Sequence, residues 1–76
     1  MKDLLEFLTK ALVEDPAAVE VEELDEDGDL VYEITVAEAD LGRVIGKGGR
    51  VANALRAVAK AAAVRLERRV IVDILD

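Results

Sequence analysis

The sequence predicts an α+β fold in which three helices cover one face of a three-stranded mixed sheet. Three observations lead there: apolar residues recur at helical spacing in three segments, they alternate at strand spacing in three others, and the order of the six is α-β-β-α-α-β. A single domain over residues 1–76 is expected, because a chain of this length supports only one core.

Asp3 to Val13 carries Leu4, Leu5, Leu8, Ala11 and Leu12, the stripe of an amphipathic helix, and the Asp15-Pro16 pair ends it. Val19-Glu20-Val21-Glu22 alternates as a half-buried strand does. Asp25 to Asp29 reads as a turn, and Leu30 to Val36 as the strand that completes a hairpin. Ala37 to Ile45 predicts a short helix that runs into Gly46-Lys47-Gly48-Gly49, and a longer helix follows from Arg50 to about Leu66. The closing strand, Val70 to Leu75, is reached through helices, so it pairs in parallel with the strand before them. Phe7 and Tyr32, the only aromatics, fall at core-facing positions.

Composition narrows the function. The chain has no His, Cys or Ser, and so lacks the commonest nucleophiles and proton shuttles. It can form no disulfide and no thiolate metal site, and neither an enzyme nor a bound cofactor is expected. No segment reads as a signal peptide or a membrane span, which points to a cytoplasmic protein. The net charge of −7 is unevenly spread. Residues 1–40 hold 2 basic and 14 acidic side chains, whereas residues 41–69 hold 8 basic and 1 acidic. A basic patch on an otherwise acidic body follows.

The patch begins at Gly46–Gly49. Two helices can turn this sharply only where no Cβ blocks their approach, and the turn leaves bare backbone beside the start of the second helix. Lys47 at the tip and Arg50 after it add charge, so a sugar-phosphate backbone is the natural ligand. A nucleotide-binding P-loop is excluded, because a helix precedes the glycines and Gly48 stands where Ser or Thr would follow the lysine. A dinucleotide fingerprint is excluded by the missing strand and by Val51 at the last glycine position.

Leu41-Gly42-Arg43-Val44-Ile45-Gly46-Lys47-Gly48-Gly49-Arg50 resembles the I-G-x-x-G signature of KH domains, and the element order is that of the type II, bacterial form. The whole chain is similar to the KhpA (YlqC) family of small stand-alone bacterial KH proteins. The resemblance implies a groove for about four nucleotides of single-stranded RNA, with Gly46, Lys47, Gly48 and Gly49 clamping the backbone. It further implies Arg43 and Arg50 beside the phosphates, Ile45 and Val51 on an apolar floor, and the acidic Asp25–Asp29 turn in the opposite wall. Single-stranded DNA fits such a groove equally well. With no aromatic platform, binding should be weak and sequence specificity low, as suits an RNA chaperone.

In the long helix, Val51, Leu55, Val58, Ala62 and Leu66 share a face expected to cover the sheet, with Asn53, Arg56 and Lys60 opposite. Between them Ala54, Ala57, Ala61 and Val64 make a stripe of small residues suited to close helix contact. The resemblance implies the same: a homodimer, or a heterodimer with a larger KH-containing protein. An alternative is therefore a protein-interaction adaptor that keeps the KH fold but has little RNA affinity.

Overall fold

Alternation of buried and exposed side chains organises the computed structural model, which describes residues 1–75. Helix α1 (Lys2–Leu12) buries Leu5 and Thr9 and keeps Leu8 half-buried, while Glu6 and Lys10 pair across one turn at 2.9 Å. The fully buried Thr9 hydroxyl has no partner among the described residues. Phe7 departs from expectation: it is 70% exposed. It lies on the far side of α1 from Leu5, because two positions along a helix turn a side chain by about 200°.

After α1 the chain enters β1 (Glu20–Glu26), which pairs antiparallel with β2 (Asp29–Thr35). The turn is shorter than the sequence suggests. Only Asp27 and Gly28 lie outside the strands, both at positive φ as a type I′ hairpin turn requires. Strand β3 (Val70–Leu75) pairs in parallel with β2, so the sheet order is β1-β2-β3 with β2 central.

Register assigns the two faces. Val21, Leu30, Tyr32, Ile34 and Val72 point toward the helices and form the core with Leu5, Val44, Leu55 and Ala59. On the other face, Glu22, Glu33 and Asp73 stand side by side across all three strands, next to a row of Leu24, Val31 and Ile71. None of those three carboxylates has an ion-pair partner among the described residues.

The predicted short helix is two elements, a single 3₁₀ turn at Glu38–Asp40 and helix α2 (Leu41–Ile45). Asp40 is the reason for the break. Its buried carboxylate accepts the backbone N–H groups of Glu14 and Asp15, each at 3.1 Å, and so fastens the chain after α1 to the start of α2. Helix α3 (Arg50–Ala62) stops earlier than predicted. A 3₁₀ turn at Val64–Leu66 follows it, and Glu67 then takes a left-handed conformation that redirects the chain into β3.

The face of α3 on the sheet also differs from the sequence reading. Ala52, Leu55, Ala59 and Ala63 are buried, whereas Val51 is half-buried and Val58, Ala62 and Leu66 are exposed. The two stripes share Leu55 and differ by a modest rotation about it. Tyr32, 1% exposed, already fills the space beneath, so close packing of helix on sheet favours the alanine side.

Tyr32 also makes stability pH-dependent. Burial, with the hydroxyl donating to the Glu23 carboxylate, pushes its phenol up to about 12. The neutral form is favoured in the folded state. The resulting stabilisation is complete below the unfolded value of about 10 and is lost as pH rises from there through about 12. Urea titrations at pH 9 and pH 11.5 should show the wild type losing roughly 2 kcal/mol more than a Tyr32→Phe variant between the two.

Candidate nucleic-acid interface

The loop between α2 and α3 is set by one contact. Gly46 has φ 77° and ψ 167°, and a Cβ there would stand 2.5 Å from Val51 Cγ2 and 2.8 Å from the Val51 backbone nitrogen. Only glycine allows α3 to start this close to the end of α2. The Gly46 N–H closes α2 on the Gly42 carbonyl at 2.9 Å, and the Gly49 N–H returns to the Gly46 carbonyl at 3.1 Å. Between them Lys47 and Gly48 are exposed, and their N–H groups meet no backbone acceptor in another element among the described residues. Gly48 sits at φ 65° in open space, so its constraint is conformational and not steric.

Gly46, Lys47, Gly48, Gly49 and Arg50 therefore form one turn, with Ile45 exposed and Val51 half-buried at its two ends. Lys47 and Arg50 have no carboxylate partner among the described residues. Arg43 lies apart from them. Its guanidinium bonds Glu14 at 2.6 Å and stands 3.4 Å from Asp40, so its charge is engaged with the segment after α1.

A groove of about 750 Å³ runs along α3 against the outer edge of β3. Its start is marked by Asn53, whose side-chain nitrogen would lie 3.9 Å from a Cβ on Gly49. Arg56, Lys60, Arg68 and Arg69 supply its positive charge, with Glu67 and Asp73 at its margin, and no aromatic residue lines it. The acidic hairpin is less of an obstacle than its sequence suggests. Arg68 donates to the Gly28 carbonyl at 2.8 Å and pairs with Asp25 at 2.9 Å, which neutralises part of the turn.

Asn53, Arg56, Lys60, Arg68 and Arg69 are the residues sequence reasoning left unassigned. The spacing of Arg56 and Lys60 put them on one helix face, but only the return of β3 brings Arg68 and Arg69 opposite. The small-residue stripe is divided: Ala57 and Val64 line this groove, whereas Ala54 lines a second one. That second groove, about 430 Å³ and almost wholly apolar, runs between α1 and α3 past Leu8, Leu12, Val51 and Val58. Ala61 lies exposed between the two.

A helix–Gly-x-x-Gly–helix turn on a three-stranded mixed sheet, with a helix and two strands ahead of it, defines a KH domain of the type II order. A family model described as the KH domain of KhpA/KhpB matches residues 2–74. The RNA-binding protein KhpA of Clostridium acetobutylicum is 48% identical over 75 residues, which cover 99% of this chain and all of that protein. KhpA of Halalkalibacterium halodurans is 49% identical over 76 residues, with both chains fully covered. KhpA of Aquifex aeolicus is 40% identical across all of this chain and 96% of its own length. The chain belongs to the KhpA/KhpB family of KH domains, a family of binding domains and not of enzymes. Among the described residues no helix is long and apolar enough to cross a membrane.

The two glycine constraints separate experimentally. Gly46→Ala combines a forbidden conformation with backbone overlap and should cost about 3 kcal/mol or more. Gly48→Ala pays only for its left-handed conformation, about 1 kcal/mol. Chemical denaturation of both variants measures the difference.

Proposed function

We propose that this chain binds short single-stranded RNA, with the sugar-phosphate backbone gripped at Gly46–Gly49 and the bases lying along the α3–β3 groove. The observation that carries the reading is the placement of charge: Lys47 and Arg50 stand unpaired at the bare turn, and beyond Asn53, which lies beside Gly49, Arg56 and Lys60 line the α3–β3 groove. Ile45 and Val51 offer apolar surface beside the turn, whereas Arg43 is paired with Glu14 and Asp40 and would reach a phosphate only by leaving them. Without aromatic stacking, and with a few phosphate contacts, affinity is roughly micromolar or weaker at physiological salt. Weak, shallow binding with low sequence specificity suits a cytoplasmic RNA chaperone. The name of the relatives, RNA-binding protein KhpA, supports this reading.

Backbone amide shifts of labelled protein titrated with short RNA pools at low salt test it. Shifts should cluster at residues 43–60 and disappear when Lys47→Asp and Gly48→Asp are combined. Gly48 has open space for the new side chain, and aspartate is among the residues that tolerate its conformation, so the variant should stay folded. A folded wild type with no shifts there refutes RNA binding, and the same titration with single-stranded DNA sets the preference between the two.

A second reading, an adaptor role, is favoured by the apolar α1–α3 groove, which an isolated domain leaves open to water. In this reading the groove, lined in part by Ala54, together with the exposed Ala61 further along α3, pairs the chain with a second copy or with the KH domain of a larger protein. Ala57 and Val64 stay with the RNA groove. Linking two weak RNA sites raises avidity without new contacts, so pairing and RNA binding support each other. By light scattering at high micromolar concentration the wild type should have the mass of two chains, and Val58→Glu that of one.

A further inference from the structure

Of the cations along the groove, Arg56 and Arg68 are both anchored, but Arg68 is bound to Gly28 and Asp25 of the hairpin, whereas both anchors of Arg56 line the groove itself. The Arg56 Nε donates to the Val72 carbonyl at 3.2 Å and its Nη1 donates to Asn53 Oδ1 at 3.2 Å, so the side chain spans from α3 to β3. Val72 is available for this because of sheet register. The Leu30 N–H bonds the Arg69 carbonyl, so in β3 the alternate residues Val70, Val72 and Ile74 turn their backbone groups to the open edge. A guanidinium has five N–H donors, and two are committed here. The remaining three sit on Nη1 and Nη2, fixed in direction by the two bonds already made.

Asn53 strengthens the same bias. Its carbonyl oxygen is occupied by Arg56, which leaves the amide N–H groups to face the groove near Gly49. At this point the groove offers a rigid set of donors. Lys60 and Arg69 carry charge but have no such anchors among the described residues.

Resting on the RNA reading above, we propose that Arg56 is the specificity-determining residue of the groove, selecting at one position a base with two adjacent hydrogen-bond acceptors. Guanine presents O6 beside N7, and cytosine presents O2 beside N3. Adenine sets a donor amine beside each acceptor on its exposed edges, and uracil separates its two carbonyls by an N–H. Neither matches a forked donor. Single-stranded RNA exposes all these edges, and a pre-oriented guanidinium loses little freedom on pairing with them. The preference is confined to one nucleotide because Lys60 and Arg69 are unanchored among the described residues, and Arg68 is committed to Gly28 and Asp25 of the hairpin.

Fluorescence anisotropy with four labelled pentanucleotides tests the assignment: a uridine background with G, C, A or U at the centre. Wild type should bind the central-G or central-C oligomer about tenfold more tightly than the central-A and central-U oligomers. Replacing a preferred guanine by 7-deazaguanine, which lacks N7, should remove the advantage and so identify the base edge read. Arg56→Lys keeps the charge but not the fork, and its affinities for the four oligomers should lie within about twofold of one another. Asn53→Ala, which removes one anchor and leaves the sheet edge untouched, should shrink the ratio between the preferred and the other oligomers. Equal wild-type affinity for all four oligomers, or an Arg56→Lys variant that keeps the preference, overturns this inference alone. A folded wild type that binds none of them overturns the RNA reading and this inference with it.

Discussion

The absence of a methyl group at position 46 governs how α2 meets α3. With a Cβ 2.5 Å from Val51, α3 would have to tilt or slide, and Leu55 and Ala59 would leave their places above Tyr32. From the other side α2 is fixed by Asp40, whose two oxygens bind consecutive backbone N–H groups after α1. Charged acceptors make such bonds stronger than neutral ones, on the order of 1.5–3 kcal/mol each. A five-residue helix is too short to hold itself in water. It persists because one end is clamped by a carboxylate and the other by a close backbone contact. The loop between them is accordingly shaped by the core, although its own residues are exposed.

Charge is sorted by face as well as by sequence position. The outer sheet surface carries Glu22, Glu33 and Asp73 in one row, and like charges directly opposite one another are unfavourable in a sheet. The groove beside β3 collects Arg56, Lys60, Arg68 and Arg69. In physiological salt fields fade over about 8 Å, so each face acts on its own surroundings. A polyanion is repelled by the open sheet and attracted along α3. The net charge of −7 therefore coexists with a cationic binding surface, and it keeps the polymer to one side of the molecule.

The element order, the parallel closing strand and the glycine turn were legible in the sequence, because period-two alternation and a run of three glycines within four residues leave little freedom. The rotation of α3 was not. In an alanine-rich helix the stripes Val51–Leu55–Val58 and Ala52–Leu55–Ala59 are both apolar, and the choice depends on the size of Tyr32 across the interface. Phe7 was misplaced for a related reason: a wide apolar arc on α1 exceeds what the core can take, so hydrophobicity alone did not say which side turns inward. The role of Asp40 was not legible either, because its partners are 25 and 26 residues away and no local pattern announces them. Arg68 and Arg69 joined the groove only through the return of β3.

A three-stranded open sheet has two unpaired edges, and each is a template on which another chain could add a strand and start an aggregate. The two edges here are guarded by different means. Along β1 the sequence Glu20-Val21-Glu22-Glu23-Leu24-Asp25-Glu26 places five carboxylates in seven residues, so an approaching copy meets its own charge. Along β3 the guard is Arg56, which occupies the Val72 carbonyl that an added strand would need. A substitution that frees this carbonyl leaves one bare edge on every molecule, and two such edges are complementary in hydrogen bonding. Its effect would then grow with protein concentration, as edge-to-edge assembly, even in a domain whose folded stability had hardly changed.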